Sequence, residues 1–150
     1  MTLLVVPILD PFAVGIYDAE GNLIDTYYGD TKISDGLIPV LRACIETYPI
    51  KTLLYVNGPG SHMAIKIAYV TLRTLSVLSD RPLYGCSAFD LNGGKPLKAI
   101  GQLYFVKEKE TIITKKLPQP VDTAFALPAC LDLASLKRDA KPDYRLPAVS

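Results

Sequence analysis

The sequence predicts an α/β domain in which three antiparallel strands lead into helix-linked parallel strands, in the order β-β-β-α-β-α-β. Three observations carry this prediction. Short runs rich in Val, Ile, Leu and Tyr recur at residues 3–9, 13–18, 23–28, 53–56 and 83–86 and are punctuated by Gly, Pro, Asn or Asp. Two longer stretches, residues 34–47 and 63–78, place apolar residues at helical spacing. The unit from Leu53 to Leu78 joins a β-rich run to a helical pattern through the Gly-rich turn Asn57-Gly58-Pro59-Gly60, an arrangement that aims backbone N–H groups and a helix dipole at one point.

Taken in order, residues 3–9 form a candidate first strand, with Pro7 arguing for a bulge or an edge position. Residues 13–18 form the second, and Glu20-Gly21-Asn22 turns the chain into a third at residues 23–28, so the three read as an antiparallel meander. A helix is expected from about Ser34 or Asp35, either of which can cap it, to Thr47; Leu37, Val40, Leu41, Cys44, Ile45 and Tyr48 give its apolar spacing. Pro39 falls in its first turn, where a missing N–H is tolerated. After the fourth strand, the helix from Met63 to Leu78 is apolar around most of its circumference. His62, Lys66, Tyr69, Arg73 and Ser76 fall on one stripe of roughly a quarter of the surface. A helix resting on a sheet buries one face, so this one has a second face for another helix. Arg81-Pro82 stops it, a fifth strand occupies residues 83–86, and Ser87 caps a brief helix at residues 88–91. This order is that of a ribonuclease-H-like half-domain.

The texture changes after Asn92-Gly93-Gly94, which sets the expected division into residues 1–92 and a reduced C-terminal lobe at 93–150. Residues 97–106 and 111–117 read as two strands around the charged turn at 107–110. Residues 124–136 are weakly helical despite Pro128, and the Pro-containing tail from 137 is expected to be extended.

At 150 residues the chain is long enough for a real core, and its 49% hydrophobic and 21% charged residues are ordinary for a folded protein. A formal net charge of +1, with no basic cluster beyond Lys115-Lys116 and Lys137-Arg138, gives no footprint for direct nucleic-acid binding. The apolar start lacks a basic leader and is ended by Asp10, so it reads as a buried strand rather than a signal peptide, and no run is long enough to span a membrane. Cys44, Cys86 and Cys130 are far apart and in apolar contexts, which points to reduced core thiols in a cytoplasmic protein.

Chemistry-bearing motifs are sparse. His62 is the only histidine, so a His-based metal site is out of reach, and although Ser61 adjoins it there is no Gly-x-Ser-x-Gly elbow. Gly58-Pro59-Gly60-Ser61 lacks the Gly-Lys-Ser/Thr ending of a P-loop. It is either a turn that approaches a phosphate or a tight connection with Ser61 as N-cap, and the second reading is the stronger. Asp10, at the end of the first run, is either a magnesium-water ligand or a turn former, more often the latter.

The segment Asn57 to Ala68, N-G-P-G-S-H-M-A-I-K-I-A, resembles the G-P-G-S-F-T-G-x-R-I-G signature of the TsaB (YeaZ) family, bacterial proteins required for threonylcarbamoyladenosine modification of tRNA. Gly58, Pro59, Gly60 and Ser61 match, and Lys66 replaces the family's Arg. Leu37-Ile38-Pro39 stands at the family's Leu-Leu-Pro, Arg81 to Ser87 resembles its x-P-x-x-G-x-S strand, and Pro142 to Pro147 resembles its closing Pro-x-Tyr-Leu-Arg. The resemblance covers residues 1–92 well and is thin afterwards. It implies an actin/Hsp70-like (ASKHA) fold and a non-catalytic scaffold subunit for a TsaD-like paralogue, alongside a TsaE-like ATPase, with tRNA met only indirectly. In such a subunit the first two helices pack against those of the partner or of a second copy. The expected interface therefore draws on Leu37, Val40, Leu41, Cys44, Met63, Ile67, Val70 and Leu72.

The chain departs from the family pattern in ways that bear on chemistry. Asp10-Pro11-Phe12 stands where the family has Asp-Thr-Ser/Ala, and Pro11 removes a hydroxyl and an N–H that a phosphate hairpin would use. Met63-Ala64 replaces Thr-Gly, Ile33 stands where a His often precedes the Leu-Leu-Pro block, and the second lobe is shortened. No cofactor is therefore expected, ATP with magnesium included, and no catalytic residue. The alternative is a small enzyme of the same superfold, a kinase or so-called glycoprotease acting alone.

Overall fold

A computed structural model describes residues 1–9, 11–91, 97–100, 103–108, 111–116, 127–131, 136–138 and 141–142. Its first part follows the expected order: β1 (Thr2–Val6), β2 (Ala13–Tyr17), β3 (Leu23–Tyr28), α1 (Ile33–Thr47), β4 (Thr52–Val56), α2 (His62–Ser79), β5 (Leu83–Cys86) and α3 (Ala88–Leu91). Three further strands, β6 (Leu97–Ile100), β7 (Leu103–Glu108) and β8 (Thr111–Lys116), form a separate antiparallel sheet, and β9 (Lys137–Arg138) joins the first. The main sheet runs β3-β2-β1-β4-β5-β9. Its first three strands pair antiparallel, and β1, β4 and β5 are parallel. This is the α/β, ribonuclease-H-like arrangement of a meander followed by parallel helix-linked strands.

Alternation along the strands sends side chains to two cores. Leu3, Val5, Val14, Ile16, Leu53 and Tyr55 meet α1 and α2 on one face, while Leu4, Val6, Tyr17, Leu54, Val56 and Cys86 form the other. That second face is covered by α3 and by residues 127–131 and 136, through Phe89, Leu127, Leu131 and Leu136. β1 is therefore buried on both sides, and its five residues read Thr-Leu-Leu-Val-Val without polar alternation.

The C-terminal stretch spans this second face. Leu23 N–H donates to Ala129 C=O at 2.9 Å and Leu131 N–H to Gly21 C=O at 2.8 Å, which ties the stretch to the β2–β3 turn. Gly21 has φ 91°, and a Cβ there would lie 2.6 Å from the Leu131 carbonyl oxygen, so the turn needs glycine twice over. Tyr17 Oη donates to Pro128 C=O at 2.7 Å, and β9 pairs with β5 at the far edge.

Several expectations are corrected. β1 ends at Val6 and lies in the middle of the sheet, so Pro7 follows a central strand instead of marking an edge. α1 begins at Ile33 with Lys32 at its N-cap and no side-chain cap, and Pro39 sits inside the helix beyond its first turn. α2 ends at Ser79, just before Arg81-Pro82 as expected, and the left-handed Asp80 at its C-cap (φ 56°) turns the Arg81 N–H back onto Ser76 C=O at 3.3 Å. The run expected as one strand over 97–106 is two, β6 and β7, with Ile100 opposite Leu103. Residues 127–131 are not helical, and their backbone groups bond instead to the β2–β3 turn.

Candidate functional site

α1 and α2 lie side by side on the same face of the sheet. α1 turns Leu37, Leu41 and Cys44 inward, and α2 turns Ile65, Ala68, Leu72 and Ser76 inward. The seating of α2 is fixed at both ends. The Ala64 N–H donates to Ser61 Oγ at 3.3 Å at the start, and Ser76 Oγ donates to Arg81 C=O near the finish. Tyr69 leans onto Tyr55 of β4, ring centroids 5.7 Å apart. The expected polar stripe is thus only partly solvated, since Ser76 is buried and His62 and Tyr69 are half-buried.

With that face committed, the opposite side of α2 is apolar and open. Met63 is 67% exposed, Val70 51%, Val77 69% and Leu78 80%, and Ile38 of α1 is 58% exposed. Met63, Val70 and Val77 recur every seven residues, the period with which a helix meets another helix at a shallow angle. Between the helices lies a groove of about 540 Å³ whose apolar lining is Ile38, Leu41, Ile45, Val70, Leu75 and Leu78. Arg42 and Glu46 of α1, with Thr71 and Thr74 of α2, supply its polar groups. Thr74 Oγ1 donates to Val70 C=O at 2.8 Å, so this hydroxyl lies along the helix and leaves the face largely apolar. The groove is thus mostly apolar, with Arg42 and Glu46 as its charged groups.

The eight residues expected at an interface divide. Met63 and Val70 are exposed, and Val40 and Ile67 are half-buried. Leu37, Leu41, Cys44 and Leu72 are corrected: they are 1%, 4%, 0% and 0% exposed and form the chain's own core. Leu41 alone of these also lines the groove. The expected set lacks Ile38, Val77 and Leu78, although they lie on the outer side. The seven-residue recurrence from Met63 was the signal that could have found Val77.

The turn after β4 is a compact connection. Gly58 and Gly60 have φ of 142° and 159°, and the Gly58–Pro59 bond is cis. A Cβ at Gly60 would lie 2.5 Å from Ile8 Cγ2, so the glycine lets α2 start tight against the end of β1. Three of its polar groups bond within the chain: Ala88 N–H donates to Gly58 C=O at 2.9 Å, Asn57 Nδ2 to Lys141 C=O at 3.2 Å, and Ser61 Oγ takes the cap bond. Pro59 is buried and Lys66 exposed. Asp10 lies outside the described residues. Among the described residues no three His, Cys, Asp or Glu side chains converge as a metal site, and no helix is long and apolar enough to cross a membrane.

The perturbed titratable groups serve structure. Tyr48, at the end of α1, donates its hydroxyl to Asp25 Oδ2 of β3 at 2.6 Å. That bond, with the Thr26 N–H, holds the Asp25 carboxyl below the usual range, and the same bond pushes the Tyr48 phenol up to about 12. Burial pushes the Cys44 thiol up to about 11 and the Cys86 thiol up to about 12. Cys130, expected in the core, is exposed.

No protein-family description and no curated protein matches the chain. Solved structures do. YeaZ from Pseudomonas aeruginosa superposes with a TM-score of 0.55 at 13% identity, covering 83% of this chain and 73% of that one. An uncharacterized protein described as similar to peptidase YeaZ from Pseudomonas aeruginosa gives 0.52 at 14% identity, covering 76% of this chain and 62% of its own. The likeness is one of fold.

Proposed function

We propose that the chain is a TsaB-like, non-catalytic docking subunit of the machinery that makes threonylcarbamoyladenosine in tRNA. The outer face of α1 and α2 holds a TsaD-like catalytic paralogue, with a TsaE-like ATPase in the same assembly and tRNA contacted through the partner. A second copy of the chain takes the same face when the partner is absent. The observation that supports this reading is the open apolar side of α2 beside the groove: Met63, Val70, Val77 and Leu78 stay in water although the helix has already buried a complete face. The YeaZ-like fold and the Gly58-Pro59-Gly60-Ser61 block support the choice of partner.

Size-exclusion chromatography with light scattering, on the chain mixed with a TsaD-like paralogue from the same genome, tests it. A heterocomplex lost in Val70→Asp is expected. A chain that stays monomeric and ignores the partner at micromolar concentration overturns it. Titration with ATP and magnesium separates the enzyme alternative, since tight binding by the isolated chain would favour a small kinase.

A further inference from the structure

No further inference is drawn: the strongest candidate, the cavity of about 140 Å³ beneath the C-terminal stretch where Cys86, Asp90 and Cys130 meet Leu91, Pro128 and Leu131, carries nothing, because no three metal-ligating groups converge there among the described residues and nothing in the structure shows what would fill it.

Discussion

Val70 and Leu72 are two residues apart on α2 and should respond to substitution in opposite ways. Leu72 is fully buried against the sheet, so Leu72→Ala removes buried methylene and methyl groups and leaves a cavity. Such truncations cost about 2–5 kcal/mol; at about 3 kcal/mol, a chain of this length should melt about 6–12 °C lower. Val70 is 51% exposed in the isolated chain. Val and Asp have similar helix propensity, so Val70→Asp should change stability by about 0.5 kcal/mol or less. Its effect belongs to docking. Covering the exposed half of a valine side chain contributes about 1 kcal/mol, and a carboxylate trapped in its place adds a desolvation cost of several kcal/mol. Together these predict at least ~100-fold weaker association. Thermal unfolding followed by circular dichroism gives the first quantity and a binding titration with the TsaD-like partner the second. A Val70→Asp protein that melts as low as Leu72→Ala would refute the seating of α2, and one that binds as well as the parent would refute the docking face.

Three further outcomes follow from the polar contacts. Asp25 has a depressed folded pKa, so its contribution to stability is present above the unfolded carboxyl pKa and is lost as the pH falls through the folded one. Tyr48→Phe removes the largest cause, and the Asp25 carboxyl followed by NMR should titrate at higher pH, whereas an unchanged midpoint would remove Tyr48 as the cause. Of the three thiols, Cys130 should react with a thiol reagent in the native state, while Cys44 and Cys86 wait for unfolding; fast labelling of all three would contradict the two-sided core. Tyr17→Phe takes a hydroxyl from the Pro128 carbonyl and should destabilise the chain by about 1 kcal/mol in denaturant unfolding, with no loss if the C-terminal stretch does not hold the sheet face.

The main sheet and both long helices were legible because their signals are local. Apolar-rich runs ended by Asp18, Gly29, Asn57 and Ser87 mark β2 to β5, and Ser61 marks the start of α2 with a cap that the structure contains. Which side of α2 faces inward was not legible. A helix apolar on both sides gives the same periodicity whichever face is buried, so Leu72 and Val70 looked alike until the sheet chose between them. On α1, Leu37, Leu41 and Cys44 were assigned to the partner for the same reason, while Ile38 was passed over. The C-terminal stretch failed differently. Leu131 and Pro128 act through contacts more than a hundred residues away in sequence, with Gly21 and Tyr17, and such pairings leave no periodic trace. Within the candidate turn, the choice of an N-cap over a phosphate cradle followed from Ser61 lacking a neighbouring Gly-Lys, and the Ser61–Ala64 bond is in place.

The account stands most directly on the mass in solution of the chain mixed with its catalytic paralogue, measured by sedimentation equilibrium for the parent and for Leu78→Asp. Leu78, 80% exposed at the rim of the groove, can be changed without disturbing the core. A heterocomplex for the parent, and separate species for Leu78→Asp with an unchanged melting temperature, is the predicted result. Two independent sedimenting masses for the parent, or a complex that Leu78→Asp leaves intact, would contradict it.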